Sequence, residues 1–381
     1  MPSQRATRTR YLPLEQSHMT NKRPTIKNCD ALELLADIEN DSVELVAVDP
    51  PYFRVLNEQW DRQWDDSSKF LDWIRQLATE WQRVLAPNGS LYCFASPQMA
   101  ARVQMVLAES FEILNEIVWV KPSGRHGSSD KEVLRSFFPQ TERLIFAEQF
   151  GADRSALAGS GYAAECAELR AGVFEPLRQY LETERFQAGV SNREVDQALG
   201  TNGMAGHYFG ASQWSLPTES AYLIMQQLFN ANGGEYLRRD YEKLRRDYEK
   251  LRRPFTVSAK VPFTDVWTYP IEPPARDSVR HPCEKPAQMM RHIINTSTRE
   301  GDLVLDCFAG SGTTAIAALS TGRQFIGCDA SPKWAEYANN RIKTWQPGRD
   351  IYRPAVRNDA QLEMFQTTEE TTTTANERPT K

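Results

Sequence analysis

Leu303-Val-Leu-Asp-Cys-Phe-Ala-Gly-Ser-Gly-Thr-Thr314, continued by the helical run Ala315 to Leu319, is an apolar strand, a glycine-rich turn and a helix start in succession. Gly310 and Gly312 lack a Cβ, so a ligand can approach bare backbone at the N-terminus of a helix. A second apolar strand, Gln324-Phe-Ile-Gly-Cys328, ends in Asp329, 17 residues after Gly312. A carboxylate at that place can accept hydrogen bonds from a ribose. Gly310-x-Gly312-x-x-Ala315 satisfies the loose dinucleotide pattern, so NAD is a candidate. A nucleoside triphosphate fits poorly, because a phosphate loop wants Gly-Lys-Ser/Thr and the turn has no lysine. S-adenosylmethionine (AdoMet) carries ribose and adenine without a pyrophosphate. The turn alone leaves the choice open.

Far upstream, Asp49-Pro50-Pro51-Tyr52 follows directly on the apolar run Val43-Glu-Leu-Val-Ala-Val48. It therefore stands at the C-terminal end of a strand, where open α/β sheets place their ligands. Two successive prolines remove two N–H groups and fix φ, so the turn is stiff. A carboxylate, rigid carbonyls and an aromatic face within four residues suit a planar base bearing an exocyclic amino group. Asp49 and the Pro50 carbonyl can each accept one amino hydrogen, and Tyr52 can stack on the ring, worth roughly 1–3 kcal/mol. A tight turn with no further role is the bland alternative, and it weakens once the glycine turn lies in the same chain.

The rest of the 381 residues is consistent with a large α/β protein. The length implies two domains or one domain with an insertion. Apolar residues make up 40% and charged ones 25%, enough for a packed core. Apolar runs are too short to span a membrane, and the N-terminus has no apolar signal region. The net charge of −5 does not draw the whole chain to phosphate, although a local basic surface suffices for DNA. Six cysteines (29, 93, 166, 283, 307, 328) show no CxxC pair and no metal spacing. They read as reduced, mostly buried thiols of a cytoplasmic protein, with no metal site.

Five regions are expected. Residues 1–24 form a flexible basic arm. Residues 25–150 alternate strands (43–48, 90–95, 113–120, 143–150) with a helix whose apolar face is Phe70, Leu71, Ile74, Leu77, Ala78, Trp81, Val84 and Leu85, stopping at Pro87-Asn88-Gly89. That alternation predicts a parallel sheet. Residues 151–253 look mostly helical. Ser191-Asn-Arg-Glu194 fits a capping box, and the turn at Gly200 to Gly203 before Met204–Phe209 faintly resembles a helix-turn-helix, with plain packing the favoured reading. The direct repeat Leu237-Arg-Arg-Asp-Tyr-Glu-Lys243 and 244–250 spaces Leu237, Tyr241, Leu244, Tyr248 and Leu251 as a heptad stripe, predicting a rod over 236–253. That rod is locally basic, whereas 151–253 as a whole has 13 basic and 14 acidic residues. A solvated helix is slightly favoured over one that touches phosphates or a partner. Strand and helix signals return over 254–346, and 347–381 reads as a disordered tail.

Taken together, Asp49–Tyr52 and Phe308-Ala309-Gly310-Ser311-Gly312-Thr313-Thr314 resemble the signatures of the amino DNA methyltransferases. Their order is that of the β class: catalytic segment, target-recognition region, AdoMet loop. His281-Pro-Cys-Glu-Lys285-Pro286 is similar to the family's motif on the methionine side of the cofactor. Asp30, in Asn28-Cys29-Asp30, resembles the acid near the adenine, and Trp119-Val-Lys121-Pro122 resembles the wall of the target-base pocket. The resemblance implies a Rossmann-like AdoMet-dependent methyltransferase fold of α/β class, circularly permuted, with a helical target-recognition insertion. It implies catalytic roles for Asp49, Pro50, Pro51 and Tyr52. It assigns cofactor contacts to Asp30, His281, Lys285, Asp306, Phe308–Thr314 and Asp329, and substrate contacts to Phe53, Trp119 and Lys121. The implied activity is AdoMet-dependent methylation of adenine N6 in double-stranded DNA, on a flipped base. Asp at the first motif position leans to adenine; cytosine N4 and RNA are the alternatives within methyl transfer. An NAD-dependent oxidoreductase and a non-enzymatic DNA-binding protein are the rivals outside it. By analogy the resemblance admits a homodimer and a companion restriction endonuclease, in a bacterial or phage setting.

Overall fold

The computed structural model describes residues 23–55, 58–121, 137, 140–149, 162–210, 214–257, 263–270 and 281–347. Eight strands form one sheet: β1 (Ile26–Lys27), β2 (Val43–Val48), β3 (Leu85–Ala95), β4 (Glu112–Val120), β5 (Thr141–Glu148), β6 (Val266–Thr268), β7 (Leu303–Asp306) and β8 (Gln324–Cys328). Their order across the sheet is β1-β8-β7-β2-β3-β5-β4-β6. The strand feeding the glycine turn thus lies beside the strand feeding Asp49, with Leu45 opposite Val304 and Val46 opposite Leu305. The expected all-parallel sheet needs correction. β5 runs antiparallel to both β3 and β4, while the other pairings are parallel.

Helices cover both faces. On one side lie α1 (Ala31–Ala36), α2 (Ser67–Val84) and α3 (Ala100–Leu107). Their Leu34, Leu35, Ile74, Trp81, Val103 and Leu107 pack on Val46, Val48, Leu91 and Cys93. Alternate residues of the same strands, Leu45, Ala47, Tyr92 and Phe94, face the opposite layer. Period-2 alternation divides β2 between two cores, which is why Leu45 to Val48 reads as an unbroken apolar run. Asp66 caps α2, accepting from Ser68 N at 2.8 Å and Lys69 N at 3.0 Å. The helix ends at Val84. The expected stop at Pro87-Asn88-Gly89 is instead the irregular start of β3, where its register against β2 slips.

Between β5 and β6 the described chain is helical: α4 (Tyr162–Gln187), α5 (Asn192–Leu199), α6 (Met204–Phe209), α7 (Glu219–Phe229) and α8 (Tyr241–Leu251). They share a separate core of Leu177, Leu181, Val195, Tyr208, Tyr222, Met225 and Leu244. The capping box at Ser191 has both its bonds. The second helix of the faint helix-turn-helix has six residues and turns Ala205, Tyr208 and Phe209 into this core, as plain packing requires. The rod over 236–253 is corrected to α8 alone. Leu237 sits in the left-handed region at φ 53°, and Asp240 caps α8 through Lys243 N. The apolar stripe is covered by its own helical unit, with Leu237 and Leu244 fully buried.

The remaining helices, α9 (Ala287–Ser297), α10 (Thr313–Ser320) and α11 (Pro332–Thr344), complete the second layer with Met289, Ile293, Ile316 and Ala338. Of the expected basic arm, residues 1–22 lie outside the described residues. Arg23 is tied down, donating to Ile342 O at 2.7 Å. Residues 348–381 of the expected tail, Pro122, 151–161 and the side chain of Cys166 also lie outside them. Cys93, Cys307 and Cys328 are buried and free, and Cys29 and Cys283 are half-buried and free.

Candidate active site

Parallel strands deliver their C-terminal ends to one edge of the sheet, and the site is built there. Asp49, Pro50, Pro51 and Tyr52 line the same cavity as Phe308, Ala309, Gly310, Ser311, Thr313 and Thr314, although some 260 residues separate the two segments. The cavity has a volume of about 440 Å³, within the range usual for small-molecule sites.

The glycine turn is held from behind. Asp306, the last residue of β7, accepts from Phe308 N at 3.0 Å and from Thr314 Oγ1 at 2.6 Å, so both its oxygens are committed to shaping the loop. Burial, the largest effect on its carboxyl, pushes it up to about 7. Gly310 has φ 48°, and a Cβ there would come within 3.2 Å of the His281 ring. Its N–H donates to Asp329 Oδ2 at 2.8 Å. Gly312 (φ 76°) does not line the cavity. It makes room for α11, since a Cβ would meet that of Ala338 at 2.9 Å. His281 packs edge-on against Trp334 with ring centroids 4.6 Å apart, and burial lowers its imidazole to about 4.

Asp30 caps α1 through Leu32 N at 2.8 Å and opens onto the cavity beside Asp329. Asn28 Nδ2 donates to Asp329 O at 2.9 Å, which ties the β1 and β8 tips together. Two carboxylates at one end, a close-approach glycine between, and the indole of Trp334 suit a nucleoside with hydroxyls to hold. Among the described residues that line this end there is no lysine or arginine to pair with a pyrophosphate. The chemistry of the donor set fits AdoMet.

At the other end, Asp49 Oδ2 lies 2.5 Å from Lys285 Nζ, while Asp49 Oδ1 is buried without a hydrogen-bond partner. Burial pushes the Asp49 carboxyl up, and Lys285 pulls it back. Tyr52 OH donates to Glu142 Oε2 at 3.0 Å. Glu142 also pairs with Lys121, and Lys285 Nζ stands 3.3 Å from its Oε2. Burial pushes Glu142 up, but the two ammonium groups outweigh it and leave the carboxyl below its usual range. Trp119 is buried in the wall with Nε1 donating to Tyr269 O at 2.9 Å, and Lys121 Nζ rests 5.0 Å over its ring.

The structure thus gathers most of the expected residues in one lining and leaves two, Gly312 and Phe53, outside it. Lys285, expected on the cofactor's methionine side, lines the cavity with its ammonium on Asp49. Phe53, expected against the substrate, lies outside the cavity lining and packs on Phe70, ring centroids 5.8 Å apart. Glu142 was not foreseen. A single acid on a β-strand carries no signal in one sequence. Trp60, Asp61, Trp73 and Phe94 also line the cavity, as scattered aromatics and acids without a motif. Among the described residues no group of three or more His, Cys, Asp or Glu could hold a metal ion.

A permuted α/β sheet with a nucleoside-type pocket and an Asp-Pro-Pro-Tyr turn at adjacent strand tips defines an AdoMet-dependent amino-methyltransferase class. A family model described as DNA methylase, of the N6/N4 type, matches residues 43–340. The chain belongs to that family and is a site-specific DNA methyltransferase whose methyl donor is AdoMet. The NAD and non-enzymatic readings are thereby set aside. It is 24% identical to the Type II methyltransferase M2.DpnII of Streptococcus pneumoniae, over 87% of this chain and 93% of that one. It is 25% identical to the DNA adenine methyltransferase YhdJ of Escherichia coli K12, over 86% and 85%. Among solved structures it is similar to the cytosine-N4-specific PvuII DNA methyltransferase, at 14% identity and a TM-score of 0.48, covering 86% of this chain and 90% of that one. No helix of the described residues is long and apolar enough to cross a membrane.

Proposed function

We propose that this enzyme methylates the exocyclic N6 of adenine on a base swung out of double-stranded DNA. The observation that carries methylation of an exocyclic amine is the unpartnered, buried Oδ1 of Asp49 at the cavity, and adenine is chosen over cytosine because Asp stands first in the motif. A buried acceptor without a donor is costly, and an amino hydrogen of the target would satisfy it. The Pro50 carbonyl on the same stiff turn takes the second hydrogen. With both hydrogens held, the nitrogen's lone pair leaves ring conjugation and points away from the two acceptors. When bound, AdoMet supplies a methyl already activated on a sulfonium. The protein's part is then position and electrostatics, with no protein nucleophile. Methylation replaces one amino hydrogen, and the ionised Asp49 carboxylate is within reach to take the departing proton. Tyr52 stacks on the ring, and Trp119 with Lys121 closes the wall behind it. A base inside a duplex cannot enter such a pocket, so extrusion, at a cost of a few kcal/mol, is part of the reading. The helical unit within 151–253 is assigned to target recognition.

Mass spectrometry of nucleosides from plasmid DNA incubated with methyl-labelled AdoMet tests this. Label in N6-methyladenine is expected. Label in N4-methylcytosine overturns the choice of base, and DNA without label overturns the reading altogether.

A further inference from the structure

Lys285 and Glu142 lie outside the Asp-Pro-Pro-Tyr turn, on the segment before α9 and on β5, yet both reach it. We propose that they are positioning residues for methyl transfer: Lys285 pins Asp49 by one oxygen, Glu142 pins Tyr52 by its hydroxyl, and the remaining Asp49 oxygen is thereby left aimed at the amino group. This rests on the amino-methyl-transfer reading above.

The geometry is that of a shared clamp. One ammonium bridges carboxylates from two strands, at 2.5 Å to Asp49 and 3.3 Å to Glu142. It is buried, 4.9 Å over the Phe94 ring and 5.4 Å from the Tyr52 ring. Glu142 then holds Tyr52 OH and Lys121. Two carboxylates and two ammonium groups balance, as burial requires. A carboxylate has two oxygens; with Oδ2 held by Lys285, the Asp49 carboxylate is oriented before substrate arrives, and Oδ1 is the oxygen left without a hydrogen-bond partner. The tyrosine ring is fixed likewise, through its hydroxyl rather than by packing alone. Around Asp49 the other titratable neighbours are Tyr52, Glu142, Cys93, Cys283 and Asp306; among the described residues, Lys285 is the cation in hydrogen-bond contact with it.

Removing that cation leaves Asp49 buried and close to a like charge. Both effects raise its carboxyl, so activity should fail at a higher pH as acid is added. Steady-state methylation of plasmid DNA by the full chain, from about pH 5.5 to about pH 9, reads this out. Lys285→Met should lower kcat about 100-fold near pH 7, leave the AdoMet KM within about threefold, and move the acid limb up by about one pH unit or more. Glu142→Gln should lower kcat about tenfold without moving the limb upward, because it removes the repelling charge. In the Lys285→Met/Glu142→Gln double variant the limb should return toward that of the parent. A merely structural role would reduce rates while the limb stays put in all three, and that result overturns the proposal. So does a raised AdoMet KM with kcat unchanged in Lys285→Met, which would restore a cofactor contact. Should Lys285→Met not fold, the near-isosteric Glu142→Gln decides alone: a kcat loss at constant AdoMet KM with the acid limb moved down supports the clamp, and an unchanged kcat or an unmoved limb refutes it. A parent that methylates no DNA refutes the function proposed above, whereas an active parent with indifferent variants refutes this inference only.

Discussion

Asp306 shows how one buried carboxyl sets the terms for a loop. Its oxygens hold Phe308 N and Thr314 Oγ1, and burial raises its pKa from 3.8 to about 7. Between those values the folded protein keeps a proton that the unfolded chain has released. Stability therefore falls as pH rises through that window, and this contribution is fully present below it. Asp306→Asn removes the titration while keeping an acceptor and a donor. Its melting temperature relative to the parent should improve steadily from roughly pH 4 to pH 8. A constant difference across that range would show that Asp306 is ionised throughout. At this scale the sequence was informative where chemistry is contiguous. Asp49–Tyr52 and Phe308–Ser311 could be read as units because one turn carries the whole function. Glu142 could not, because its role exists only where β5 passes the β2 tip. Lys285 was placed at the cavity, but its contact with Asp49 was not legible, since a motif gives a neighbourhood and not the direction of a long side chain. Phe53 follows Tyr52 directly, but the turn sends its ring toward α2.

Among the elements, the repeat over 237–250 is the clearest case of one sequence in two conformations. The second copy is wholly helical; the first enters α8 only at Tyr241. The difference lies in what surrounds the first copy. Leu237 N donates to Glu184 Oε2 at 2.5 Å, Leu237 O accepts from Gln226 Nε2 at 2.7 Å, and Arg239 N donates to Tyr180 OH at 3.1 Å. With its backbone groups met from outside, the segment has no need of helical bonds. Asp240 caps the helix, while its counterpart Asp247 lies inside it and pairs with Arg239. Heptad spacing identified the apolar residues correctly, and local pattern could not reveal the tertiary acceptors. Leu244→Ala should lower the stability of the helical unit by about 2–5 kcal/mol, seen as an earlier denaturant midpoint, with AdoMet affinity unchanged. An unaltered midpoint would mean that the stripe packs on nothing. By contrast, β2 and α2 were legible because one is buried on both faces and the other on a single 3.6-residue stripe. β5's reversed direction left no such trace.

For the molecule as a whole, binding and turnover sit on different segments and can be separated. AdoMet at about 100 times its Kd should stabilise the native state by about 2.7 kcal/mol. Calorimetric melting should show that gain undiminished in Asp49→Ala, which should have no measurable methylation. In Gly310→Val, where added atoms meet His281, the gain should be largely lost. Equal loss of the gain in both variants would contradict the division of labour. That two-ended construction was foreseen from motif order, since a cofactor strand late in the chain has to return to the middle of the sheet.

β7 fills the gap between β2 and β8, and this has a consequence for biosynthesis. Translation at about 5–20 residues per second leaves β2 waiting on the order of tens of seconds before its neighbour leaves the ribosome. Throughout that interval the nascent polypeptide displays a bare apolar strand edge, the kind that invites aggregation. The enzyme's dependence on chaperones should accordingly be greatest during its own synthesis, before any donor pocket exists.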